Sequence, residues 1–262
     1  ISVMAASDTW VYDGEEHSNR TWTATNLDTL QAGDELEVTF DEASVVKTPQ
    51  DGANGDGIVP DVITGVRVIR SGAEDVTANY TVEWFPGTLA VTKRPVTVTV
   101  VGESATYTYD SEEKTVTGYD ISTEDELYDI AADTVFGGTQ SVSRTDAGKT
   151  EMGLSAADFT NDNDCFDVTY AVTDGWVKIA PADIATGAEG DFAIVLGENP
   201  KYNGTVQTIP VGSVTYKGMD VTYTLAGENA THAGTYTLTV KANGNFTGER
   251  STTWQELKRK VT

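Results

Sequence analysis

Hydrophobic and polar positions along this chain alternate with a period of two. The stretches VTVTVV (96–101), DVTYAV (167–172), DVTYTL (220–225) and TYTLTV (235–240) set Val, Tyr and Leu against Thr. That is the mark of strands with one buried and one wet face. Helical periodicity is scarce: residues 124–130 and 155–159 hold a turn of helix at most and read as loop crossings. Short strands separated by Gly, Asp and Asn turns at about 10-residue spacing predict antiparallel β-sandwiches, since parallel sheets would need helical crossovers.

The pattern also repeats. ISVMAASDTWVYDGEE superposes on VTVVGESATYTYDSEE at an offset of 97, pairing Val3 with Val100, Trp10 with Tyr107 and Tyr12 with Tyr109. A third copy begins at KYNGTVQTI, where Tyr202 follows Tyr109 by 93 residues. Unit ends repeat as well: YTVEWFPGTLAVTKRPVTV from Tyr80 resembles VTYAVTDGWVKIAPADI from Val168. Each reads as a hairpin turning at Gly87 or Gly175, followed by Pro95 or Pro181. Three units are expected, at 1–94, 95–181 and 182–262. LKRKVT, residues 257–262, copies TKRPVT at 92–97, and so reads as the start of a further unit in a longer array.

Within THAGTYTLTV (231–240), Gly234 and Tyr236 fit the Asp-x-Gly-x-Tyr corner of immunoglobulin-type strands, whose Tyr hydroxyl ties back to upstream backbone. The second unit keeps Asp146, Ala147 and Gly148 but has Thr150 in place of the Tyr, and the first unit lacks the segment. The expected fold is all-β: three tandem Ig-like antiparallel β-sandwiches in an elongated array. A β-grasp unit, with SAADF (155–159) as a small helix, is the alternative.

Tyr12-Asp13-Gly14, Asn79-Tyr80-Thr81-Val82 and the run Gly87 to Thr97, with partial copies further along, resemble the tandem Ig-like or MBG-type repeats of large bacterial cell-surface proteins, adhesins of Gram-positive gut bacteria among them. Ser111, in place of the motif Gly, departs from that pattern. The resemblance implies non-enzymatic stalk repeats outside the cell, spacing and displaying an adhesive domain, each chain a monomer within a longer protein.

Composition agrees with a folded chain: 39% of its 262 residues are hydrophobic and mean hydropathy is -0.29. Forty-one acids against 17 bases give a net charge of -24, which makes nucleic acid and anionic lipid poor partners. The charge is uneven: -10 and -13 in the first two units and -1 in the third. The near-neutral third unit suits a second reading, a module binding a host glycan or surface protein. No apolar run approaches a membrane span, and ISVMAASDTW lacks the form of a signal peptide.

Candidate chemistry is sparse. His17 and His232 lie in different units, Cys165 has no basic neighbour in sequence, and no nucleophile elbow, phosphate loop or HExxH occurs, so no enzyme is expected. Two acidic loops place hard oxygen donors where Ca²⁺ would take them: Asp51, Asn54 and Asp56 in DGANGDG, and Asp162, Asp164 and Asp167 in NDNDCFD. Neither has EF-hand spacing, and the ordinary reading is a solvated turn; no other cofactor is expected. Trp84 and Trp176, near the closing turns, are the candidates for stacking on a sugar ring. Lys114, Lys149 and Lys178 fall on strands whose alternation leaves them wet, so noncovalent cores rather than isopeptide bonds are expected.

Overall fold

A computed structural model describes residues 1–260. Among them are strands throughout, three short 3-10 turns and a single four-residue α-helix, Ile130–Asp133, capped by the Asp129 carboxylate accepting from the Ala131 and Ala132 N–H groups. The chain is all-β. Val261 and Thr262, the end of the junction copy, lie outside the described residues. The chain forms two compact units, one of Ile1–Val100, Ile121–Gly137 and Ala156–Ala171, the other of Val101–Asp120, Gly138–Ser155 and Val172–Thr262. The middle sequence repeat contributes segments to both.

In the first unit the opening segment divides its pairing between two sheets. Ser2–Ala5 runs antiparallel to Trp22–Thr25 and parallel to Glu83–Phe85. After a break, Asp8–Val11 runs parallel to Gly87–Thr92, which pairs antiparallel with Ile58–Asp61 on its other side. A further sheet orders Asp34–Phe40, Ile63–Arg70 and Glu74–Asp75. Inward-pointing Val3, Ala5, Ile63 and Val66 make one core, and Val46, Leu89 and Val91 another.

The second unit uses the same device. Ser104–Thr108 runs parallel to Trp176–Ala180, which pairs antiparallel with Gly148–Glu151. Ala182–Asp183 runs parallel to Phe246–Thr247. Gly234–Ala242 lies between Tyr223–Ala226 and Glu249–Glu256, both antiparallel. Its cores gather Ile184, Val214, Tyr216, Val240 and Phe246, and Ile209, Leu238 and Trp254.

The sheets are thus mixed. A parallel pair needs a long crossover, and here the crossover is the run of antiparallel strands between the first and last strands of a repeat, so no helix is required. The closing segments correct a sequence expectation. Glu83–Phe85 and Gly87–Thr92 join different sheets, so the chain at Gly87 switches sheets instead of turning a hairpin. At Gly175 it does the same between Phe166–Thr173 and Trp176–Ala180.

Close approach explains these two glycines. A Cβ on Gly87 would lie 2.1 Å from the Ala6 carbonyl oxygen, and one on Gly175 2.5 Å from that of Glu103, the residue 97 positions on from Ala6. The next N–H in each case meets the serine at the equivalent repeat position: Thr88 N donates to Ser7 Oγ at 3.0 Å and Trp176 N to Ser104 Oγ at 3.2 Å. Gly87→Ala and Gly175→Ala should each cost about 1–3 kcal/mol, because backbone must move to admit the methyl. Gly65→Ala, mid-strand with open space around it, should be neutral or slightly stabilising. Urea midpoints of the three variants check this.

Several carboxylates are held ionised by local donors. Asp75 accepts from the hydroxyl and N–H of Thr77 and from Arg67, and these lower its pKa to about 2. Asp34 is lowered by Arg70 and by the Tyr80 hydroxyl. A lowered folded-state pKa contributes stability above the unfolded value, 3.8, that is lost as pH falls through the folded one. Melting temperature should therefore drop between those values. Asp75→Asn, which keeps the acceptor oxygen and loses the charge, should flatten the drop in acid melts.

Candidate functional site

The sequence-derived candidates scatter. In the loop 51–57, the Asp51 carboxylate accepts from Lys47 N at 2.5 Å, Thr48 N at 2.9 Å and Thr48 Oγ1 at 2.8 Å. Burial pushes its pKa up, these donors outweigh burial, and the result is lowered. Its oxygens tie their own loop. Asp56 Oδ1 accepts from Ile58 N at 3.2 Å, and Asn54 is exposed. In the other acidic loop Asp162 and Asp167 are exposed, and Asp164 meets Lys93 Nζ at 3.4 Å. Among the described residues no three His, Cys, Asp or Glu side chains converge as a metal site would need.

The two tryptophans differ. Trp84 is 43% exposed and lies opposite Val3 in the strand register, while Met4 and Phe85, both exposed, pair with each other. Trp176 is half-buried, and Lys149 Nζ sits 4.9 Å from its ring centroid, occupying a face that a sugar would use. Tyr236 Oη donates to the His232 carbonyl at 2.5 Å, four residues upstream, and its ring packs 5.2 Å from that of Trp254. Gly234 lies 3.5 Å, measured from an added Cβ, from the Tyr236 ring. His17 is half-buried and stacks on Trp10 at 4.8 Å, with Nε2 3.0 Å from Asp13 Oδ1.

Cys165 and Tyr128 are pushed toward their neutral forms. Burial raises the Cys165 thiol, with Asp164, Asp133 and Asp51 adding to the shift and a Tyr12 hydrogen bond opposing it. Burial raises Tyr128 to about 12; its hydroxyl lies 2.9 Å from Thr134 Oγ1 and 3.3 Å from the Tyr170 hydroxyl. Neither is activated.

What does recur is a step in each compact unit. Tyr12 N donates to the Thr92 carbonyl, Tyr109 N to that of Ala180 and Tyr202 N to that of Leu257, each at 2.9 Å. The strand registers agree too: Trp10 faces Val91 and, one repeat on, Tyr107 faces Ile179. In the first unit the Tyr12 ring then meets Phe166 edge-on at 5.5 Å and 86°. In the second, Tyr109 meets Phe246 at 5.3 Å and 82°. Backbone bonds repeat alongside, Arg94 N to the Cys165 carbonyl and Ala182 N to that of Asn245, both 3.0 Å. Side chains complete each step: Gln50 Nε2 donates to the Asp164 carbonyl at 2.8 Å, and Asn245 Nδ2 to Asp146 Oδ1 at 2.8 Å. Each aromatic pair joins the tyrosine motif of one sequence repeat to the phenylalanine of the next.

No protein-family model matches the chain, and no curated protein matches it. Among solved structures it is similar to the I9–I11 tandem from titin, at 10% identity and a TM-score of 0.19, covering 97% of both chains. It is also similar to the N-terminal eight Ig domains of Down Syndrome Cell Adhesion Molecule isoform 1.30.30, at 10% identity and a TM-score of 0.19, covering 94% of this chain and 39% of that one. The all-β class rests on the strands themselves. No helix is long and apolar enough to cross a membrane, among the described residues.

Proposed function

We propose that the chain is a series of three Ig-like repeats, 1–94, 95–181 and 182–262, whose work is mechanical spacing and display on a bacterial cell surface, outside the cell and without catalysis. The observation that carries this is the tyrosine step: one backbone bond made three times at one length, and one aromatic contact made twice. A repeat that contacts only its neighbours through a fixed step is the element of a quasi-one-dimensional array. The bacterial surface and the adhesive domain displayed come from the sequence resemblance. A spacer must hold distance, so small-angle scattering should give a radius of gyration well above the about 18 Å expected of a single 262-residue globule. A value near that figure would defeat the spacer reading.

A second reading, a glycan- or host-protein-binding module, draws support from Trp84, whose ring is 43% exposed. A glycan array probed with the parent chain and with Trp84→Ala tests it. Signals that are absent, or equal for both, would remove it.

A further inference from the structure

The three tyrosine steps are built alike down to their turns. Besides the shared backbone bond, Glu15 N donates to Asp13 Oδ1 at 2.9 Å, Glu112 N to Asp110 Oδ1 at 3.0 Å and Thr205 N to Asn203 Oδ1 at 2.9 Å. The residue after each Asp or Asn is left-handed: Gly14, Ser111 and Gly204, with φ of 84°, 69° and 87°. The rings differ. Tyr12 and Tyr109 are half-buried against Phe166 and Phe246, whereas Tyr202 is 38% exposed and Leu257, which accepts its N–H, 36%. Both covering phenylalanines close the same turn, Phe166 N donating to the Asn163 carbonyl and Phe246 N to that of Asn243, each at 3.2 Å.

Charge distinguishes the third step from the second and matches it to the first. Leu257 stands where Thr92 stands, so Lys258 and Arg259 follow it as Lys93 and Arg94 follow Thr92. In the first step those two bases meet acids of the next repeat. Lys93 Nζ lies 3.4 Å from Asp164, two residues before Phe166, and Arg94 Nε donates to Asp125 Oδ2 at 2.5 Å. The second step has Pro181 and Ala182 there instead. Lys258 and Arg259 are both exposed.

We propose that the Tyr202 step is a docking site for a polypeptide turn of the Phe166 kind, which lays a phenylalanine ring against Tyr202 and sets carboxylates against Lys258 and Arg259. The two covered steps identify the ring, and the pair of bases identifies the charge of what surrounds it. The proposal rests on the repeat reading and deepens it by naming what such a step holds.

The test uses the full chain with isotope-labelled tyrosine rings and a peptide of residues 161–167, acetylated and amidated, with Cys165→Ser. This peptide should shift the Tyr202 ring resonances saturably and leave those of Tyr12 and Tyr109, already covered, in place. The same peptide with Phe166→Ala should bind at least about tenfold more weakly. Lys258→Glu together with Arg259→Glu in the chain should weaken binding at least about tenfold. Those positions are exposed, so the melting temperature should hold and lost binding would not be lost folding. No saturable shift at Tyr202, equal binding of the two peptides, or unchanged affinity in the charge-reversed chain would overturn the proposal. Scattering decides the spacer reading separately, so an extended radius with a blank titration would remove the docking site alone.

Discussion

Truncating Phe166 or Phe246 to alanine should each cost about 3–5 kcal/mol, the range for a buried aromatic ring removed from a packed core. Both are almost fully buried. Phe166 touches Tyr12 and Tyr128 edge-on, at 5.5 and 5.1 Å, and Phe246 touches Tyr109 and Tyr216, at 5.3 and 6.4 Å. Such aromatic pairs add about 0.5–1.5 kcal/mol beyond burial. A double-mutant cycle of Tyr109→Leu with Phe246→Leu should return a coupling of that size, since the two rings share one contact. Phe85→Ala, at an exposed position, should change stability by about 0.5 kcal/mol or less. Chemical denaturation with the three single variants in parallel checks the ranking.

Arg20→Ala should be comparably damaging for an electrostatic reason. Asp61 is wholly buried, one oxygen held by Arg20 at 3.0 Å and the other without a partner. Arg20 also donates to the Ser44 carbonyl through both terminal nitrogens at 3.1 Å and lies over Phe40. Removing one member of a buried pair leaves the other charge uncompensated, at about 3–5 kcal/mol. The lower end applies here because the guanidinium is 34% exposed. Burial raises the Asp61 pKa even with Arg20 opposing it. For a carboxyl raised in the folded state, the stabilising contribution is present below the unfolded value and lost as pH rises through the folded one. The penalty of Arg20→Ala should therefore shrink in acid, where Asp61 takes a proton, and Arg20→Ala with Asp61→Asn should recover part of it at neutral pH. An equal penalty at both pH values would mean that lost packing, not charge, sets the cost.

Sequence alone made much of the architecture legible because strand pairing follows register. The offset of 97 that aligns Trp10 with Tyr107 also aligns Val3 with Val100, both wholly buried, and Ser7 with Ser104, both accepting the N–H that follows a glycine. The sheet switch was not legible. A glycine between alternating runs has the same local pattern whether it turns a hairpin or lets another backbone pass, and the neighbour that distinguishes them, Ala6 or Glu103, lies more than seventy residues away. Distance also hid Phe166 and Phe246 as partners of Tyr12 and Tyr109, since each pair joins different repeats. The acidic loops follow from number. With 41 acids, carboxylates fall close together in sequence without converging in space.

Single-molecule pulling on the chain from its two ends tests the tandem-repeat reading most directly. Three repeats acting as serial mechanical elements should unfold in three events, each releasing about 300 Å of contour at the length of an extended chain of 80 to 95 residues. Phe246→Ala should lower the force of one or two of them and leave the increments unchanged. A single event spanning the whole chain, or two events matching the compact units instead of the repeats, would contradict it.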